Sequence, residues 1–256
     1  FSCLLAPSDG KAAALATERK KGRDMHHYLV SELFGLPVTA LAFLLAGRQR
    51  RAMSLAALGF VVMSPLAVTF NDRYWSPDRV FGGAFGIEDL IFCVSVGSVV
   101  WLVAVWPYRW RLELPAIDPR AVAGRALPIM AFGFAVLGAA LLAGTGIAVA
   151  STAAQFAAAA VVLFLRPRLL ELALRATVVY VPYYLAHIAV MAAWRPAILD
   201  LWNGPEILGI RFFGLPIEEP LWMISLTMMY PAFVAYILGV VLPHPQHAAK
   251  DCADDR

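Results

Sequence analysis

The chain has 256 residues, 61% of them hydrophobic and 15% charged. Soluble domains rarely exceed about half apolar residues, and here the apolar residues come in blocks of roughly 20, enough to cross about 30 Å of hydrocarbon. That excludes a soluble domain. The net charge of +3 is small and carried by loops, with no basic run interleaved with aromatics as a nucleic-acid groove requires.

Residues 1–24 are polar, with the cluster Arg19-Lys20-Lys21-Gly22-Arg23, and lack the apolar core of a signal peptide. They are expected to be disordered or non-native, with Met25 as the natural start. Seven spans follow, at about 28–47, 52–70, 85–107, 126–147, 149–165, 173–193 and 217–242. The first contains Glu32 and Pro37, and the third ends in the aromatic, basic stretch Trp106-Pro107-Tyr108-Arg109-Trp110-Arg111, suited to the headgroup level. The fourth and fifth are rich in Ala and Gly, which lets helices approach closely. Gly144-Thr145-Gly146 between them reads as a tight hairpin, with one long kinked helix as the alternative. The tail from His244 is expected to be disordered.

Arginines cluster after spans one, three and five, whereas the loops after spans two and six carry only Arg73, Arg79, Arg195 and Arg211. The positive-inside rule then places the Met25 end outside and the C-terminus in the cytoplasm. Cys3, Cys93 and Cys252 are too scattered for a disulfide framework or a zinc site. No metal site and no cofactor are expected.

Two stretches repeat one another. Trp75 to Gly82 and Trp202 to Gly209 share a Trp and a Gly at the same spacing, and each leads to an acid pair, Glu88-Asp89 and Glu218-Glu219, at the mouth of a span. The second link is three residues longer. Spans one to three and five to seven therefore read as parallel copies, which brings both acid pairs to one membrane face. The predicted fold is an all-α membrane protein of about seven transmembrane helices, two parallel three-helix repeats and a linking helix. Its divisions fall at 25–107, 108–148 and 149–243, flanked by 1–24 and 244–256.

Carboxylates in a first helical turn are favoured by the helix dipole, so each pair has a plain reading as a helix start. Charges at the mouth of an apolar segment are costly, however, and mark functional sites. Adjacent helical residues point about 100° apart, so one acid of each pair can face a shared interior; Glu88 and Glu218 are the expected inward ones. Glu32, a lone acid one turn into span one, is a further candidate. Asn71 and Asp72 read as a solvated loop, with a hydrogen bond to one of the acids as the alternative, and His187 as a hydrogen-bonded core histidine.

Pro216-Ile217-Glu218-Glu219 followed by aromatics, with the upstream Trp202 and Gly209, and the same arrangement around Glu88-Asp89, resemble the lycopene cyclase domain family. Its motif is a proline, any residue, then Glu-Glu or Glu-Asp; Gly86 stands where the first copy needs proline. The resemblance covers roughly residues 25–242. It implies redox-neutral cyclisation of the ends of lycopene or another long apolar isoprenoid in the bilayer of a prokaryotic plasma membrane. It further implies Glu88, Asp89, Glu218 and Glu219 as acid and base, and leaves room for a homo-oligomer or a carotenoid-pathway partner. Trp75 and Trp202 are placed with Glu32 as substrate-binding candidates, their π faces suited to a cation; their other reading is as interfacial belt residues.

The lysines, Lys11, Lys20, Lys21 and Lys250, all lie in the tails, which excludes a retinal Schiff base, and Asp72 and Asp78 do not form a diphosphate motif. A proton-coupled transporter and an inactive cyclase-like scaffold are the rival readings. The first predicts a wet cavity open to one face, the cyclase a dry apolar groove ending at the acids.

Overall fold

Hydrocarbon leaves no water to satisfy backbone N–H and C=O groups, so apolar segments that cross it fold as helices. The computed structural model describes residues 26–243. It has seven helices long and apolar enough to span a bilayer, and the protein is an integral membrane protein. The expectations for 1–24, Met25 and the tail from His244 lie outside the described residues.

The helices are α1 (His27–Leu45), α2 (Arg50–Met63), α3 (Ile87–Val105), α4 (Pro119–Leu142), α5 (Ile147–Leu165), α6 (Leu170–Trp194) and α7 (Glu218–Leu238). After Met63 the second span continues as a 3-10 helix over Ser64–Thr69, with Pro65, which has no N–H to donate, at its start. α4 begins at Pro119 rather than near 126. Asp118 accepts the Arg120 N–H at 2.9 Å as its N-cap, and proline suits a first turn. Gly144, at φ 82°, separates α4 from α5, so these are two helices joined by a tight turn.

The helices alternate in direction, and the N-termini of α1, α3, α5 and α7 gather at one end. Two loop acids cap helices there. Asp78 accepts the His27 and Tyr28 N–H groups at 2.9 and 3.3 Å, and Glu206 accepts the Ile147 N–H at 2.7 Å. The loops that carry these acids also bind each other. Ser76 donates to the Leu201 carbonyl at 2.8 Å, Gly204 to Tyr74 at 3.2 Å and Glu206 to Arg73 at 3.1 Å. An Arg73–Glu206 ion pair at 2.6 Å reinforces them. The approach is so close at Gly204 that a Cβ there would sit 2.1 Å from the Arg73 carbonyl oxygen. The three extra residues of the second link fall in a small hairpin, β1 (Arg211–Phe212) paired antiparallel with β2 (Leu215–Pro216).

α3 and α7 are the most enclosed helices, with α2 and α1 packed on α3, and α5 and α6 on α7. α5 presents the small buried residues Ala150, Ala154 and Ala158, which permit close helix contact. α4 lies outermost, against α5 and α7, with Ile129 its one buried residue.

Candidate active site

A cavity of about 580 Å³ lies inside the bundle. Apolar side chains, among them Phe60, Phe92, Met130, Leu137, Leu226 and Phe233, form nearly all of its wall. Its lining follows α7 from Glu219 to Leu238, about 28 Å at 1.5 Å per residue. α2 and α4 both line it, yet α2 packs on α3 while α4 packs on α5 and α7. The cavity is therefore bounded on that flank by a seam between two helices that scarcely touch.

At the loop end three carboxyl groups line the cavity: Glu32 from α1, Asp89 from α3 and Glu219 from α7. Tyr28, Tyr74, Trp75 and Trp202 surround them. This reverses the expected orientation of the acid pairs, because Glu88 and Glu218 do not line the cavity. Both are fully enclosed on the side of the preceding loop. Glu88 Oε1 accepts the Val80 N–H at 2.8 Å and Glu218 Oε1 accepts the Leu208 N–H at 2.5 Å. The first acid of each pair thus ties its helix to the loop before it, and the 100° step delivers the second acid to the cavity.

The two cavity acids of the matched pairs are held differently. Asp89 forms a buried ion pair with Arg79, whose Nε and Nη2 lie 2.7 and 3.1 Å from its oxygens. It also accepts the Gly86 N–H at 2.7 Å and the Tyr28 hydroxyl at 3.3 Å. Arg79 is 5% exposed, so its charge is matched inside the protein. Its remaining nitrogen donates to Asn71 Oδ1 at 2.8 Å, which takes Asn71 out of the solvated loop expected for it; Asp72 accepts from Ser76 and Asn71 and touches neither acid pair. Glu219 has no cation. It accepts from the Tyr184 hydroxyl at 2.5 Å, the Trp202 indole at 2.9 Å and the Tyr74 hydroxyl at 3.0 Å. Burial, and then the neighbouring Glu219, push the Tyr74 phenol far above its ordinary range, so it remains a donor. Glu32 makes no hydrogen bond or ion pair among the described residues, and the structure brings it to the same cavity as the pairs.

Trp202 is buried and bonded to Glu219, and Trp75 packs edge-on against Tyr28 at 4.9 Å with the Arg79 guanidinium 5.8 Å from its ring. Both tryptophans line the cavity. His187 pairs with the Ser31 hydroxyl at 3.0 Å, as a core histidine does. No group of three or more His, Cys, Asp or Glu placed to hold a metal ion occurs among the described residues.

The lycopene cyclase family model matches residues 146–237, the stretch that supplies Trp202, Glu218 and Glu219. That stretch is similar to the lycopene cyclase family. No curated protein and no solved structure matches the chain. The matched stretch contributes Glu219 and two of its three donors, Tyr184 and Trp202; the third donor, Tyr74, and the other two cavity acids lie before residue 146.

Sequence reasoning missed Arg79, which it counted as a loop charge, and the tyrosines at positions 28, 74 and 184. It also missed the capping roles of Asp78 and Glu206. A signal for the caps was present, since each acid follows a tryptophan inside the two matched Trp-to-Gly stretches.

Proposed function

We propose that the protein is an integral-membrane carotenoid cyclase that closes rings at the ends of a linear carotenoid by proton transfer, with no redox change. The observation that carries this reading is the apolar-walled cavity, about 28 Å long, that ends at three carboxyl groups. A long isoprenoid chain matches the apolar wall, and its terminal isoprene unit then lies among the acids. Protonation of the terminal double bond forms a tertiary cation. Attack by the neighbouring double bond closes a six-membered ring, and loss of a ring proton to a base regenerates an alkene. Atoms and charge balance, with one proton in and one proton out. Trp75, Trp202 and Trp222 present ring faces or edges to the cavity end, where a cation is stabilised by π density.

In this reading Asp89 and Glu219 face the substrate, while Glu88 and Glu218 set the start of α3 and α7. Residues 25–107 and 149–243 act as two parallel copies with α4 as the link. The paired anchors, Val80 to Glu88 and Leu208 to Glu218, and the paired caps, Asp78 and Glu206, support that division. The arginine-rich end faces the cytoplasm, which puts the acids near the opposite face. The apolar wall and the α2–α4 seam favour this reading over a proton-coupled transporter, which needs a wet path.

Expression in a lycopene-accumulating host with pigment analysis tests it. The wild type is expected to yield cyclic carotenoids, and Asp89→Ala or Glu219→Ala to leave the linear chain. A correctly inserted wild type that leaves linear carotenoids unchanged overturns the proposal.

A further inference from the structure

The three carboxyl groups at the cavity end differ in what holds them. Asp89 is bound by the two-point contact with Arg79, so the pair is neutral as a unit and its proton-accepting lone pairs are committed to Arg79, Gly86 and Tyr28. Glu219 accepts three hydrogen bonds with no cation beside it. Trp202 can only donate, and donors converging on a carboxylate stabilise its charged form. Glu32 has neither cation nor donor. An ionised carboxylate left unpaired in an apolar cavity is so costly that the group keeps its proton.

α1 and α5 have the same length, and aligning their first residues sets Ser31 beside Ser151, both of which line the cavity. Glu32 then corresponds to Thr152, whose hydroxyl bonds back to the Ala148 carbonyl at 2.9 Å. The third acid therefore belongs to one half of the molecule. Acid and base duties fall to carboxyls whose surroundings hold protons differently, and Glu32 and Glu219 differ in this way.

From the contrast in partners we infer that Glu32, not an acid of the two matched pairs, is the proton donor of the reaction, with Glu219 the base. This rests on the cyclase reading above. Glu32 transfers its proton to the less substituted carbon of the terminal alkene, which leaves the tertiary cation on the dimethyl-bearing end carbon, and becomes a carboxylate. The cation closes the ring, and Glu219 takes a proton from the adjacent ring carbon, whose C–H electrons form the new double bond. One proton passes from Glu32 to Glu219 in each cycle, and exchange with solvent restores both. Asp89, paired with Arg79, lines the same end of the cavity and is a positioning residue.

The test compares wild type, Glu32→Gln and Glu32→Asp in a lycopene-accumulating host and in membranes supplied with lycopene in deuterated water. The wild type is expected to place one deuteron in each ring it forms. Glu32→Gln, similar in shape but without a transferable proton, is expected to lower ring formation by at least about 100-fold, with insertion level and co-purifying linear carotenoid retained. Glu32→Asp keeps an acid on a shorter arm and is expected to restore part of the rate with the same label. It serves as the deciding variant if the glutamine form does not insert, because an aspartate form as fast as wild type would show that the position of this acid is immaterial. Ring formation by Glu32→Gln within a few-fold of wild type overturns the assignment while leaving the cyclase reading in place, whereas rings free of deuterium overturn the assignment together with proton initiation. A wild type that forms no rings overturns both.

Discussion

Gly86 occupies the place of the motif proline, and its geometry accounts for the substitution. Its φ is −145° and its N–H donates to Asp89 Oδ2 at 2.7 Å, whereas proline holds φ near −65° and has no N–H. A Cβ at this position would also come within 2.3 Å of Glu88 Oε2. Restoring the motif with Gly86→Pro is therefore expected to destabilise the protein by about 1–3 kcal/mol, seen as a lower thermal midpoint in detergent. The asymmetry of the acids gives a second expectation. Asp89→Asn strands the Arg79 charge in the interior and should cost about 3–5 kcal/mol. Glu219→Gln strands no charge, so it should abolish cyclisation with a distinctly smaller loss of stability. Melting curves of the two variants side by side, with pigment yield, check this; equal destabilisation would refute it. Two adjacent acids in a sequence fix the helical step between them but not its phase, so sequence alone does not identify the inward member of each pair. The phase is set by Val80 and Leu208, whose backbone N–H groups capture Glu88 and Glu218.

Among elements, the two loops at the acid end act as one unit. Glu206 binds Arg73, caps α5 and, through its backbone, joins the strand of contacts at Gly204. Desolvation raises the pKa of this carboxyl, but the Arg73 side chain and the Ile147 N–H outweigh it and hold Glu206 below its ordinary value of 4.5. A carboxylate with a depressed folded pKa stabilises fully above its unfolded value, and that contribution is lost as pH falls through the lower folded value. Thermal stability is expected to decline below pH 4.5, and Glu206→Gln to show a smaller decline over that range, measurable by melting at graded pH. The seven spans and the acids at their mouths were legible because hydropathy and local spacing carry them. The contacts that build the site were not, because they join residues far apart in sequence. Tyr74 reaches Glu219 across 145 positions and Tyr28 reaches Asp89 across 61. The start of α4 was legible in principle, since Asp118-Pro119 is a cap followed by a first-turn proline, but hydropathy alone placed it later.

For the whole molecule, the cavity determines what the acids can meet. Ala154 is buried in its wall partway down from the acid end. Ala154→Phe narrows the channel without touching a carboxyl group, and a full-length carotenoid is expected to react at least about 10-fold more slowly, against the 1–3 kcal/mol that overpacking typically costs. A short terpenoid carrying the same end group should be affected less, and equal slowing of both would show that the wall does not gauge length. Both halves of the chain build this cavity, although the family match falls in the second. The first half supplies Glu32, Asp89 and Tyr74, so residues 146–237 alone hold only one of the three acids.

The carboxyl groups sit at one end of the cavity, and its far end, around Ala126, Ile237 and Leu238, has no acid lining it among the described residues. A linear chain with two reactive termini can thus present one of them per visit. To be processed at both, it has to leave, reverse end for end within the bilayer and enter again. On the cyclase proposal, turnover is then expected to be distributive: a half-finished product with one ring accumulates first and competes with fresh chains for re-entry. The ratio of one-ring to two-ring pigment becomes a property of substrate supply, rising when linear chains are abundant and falling as they run out.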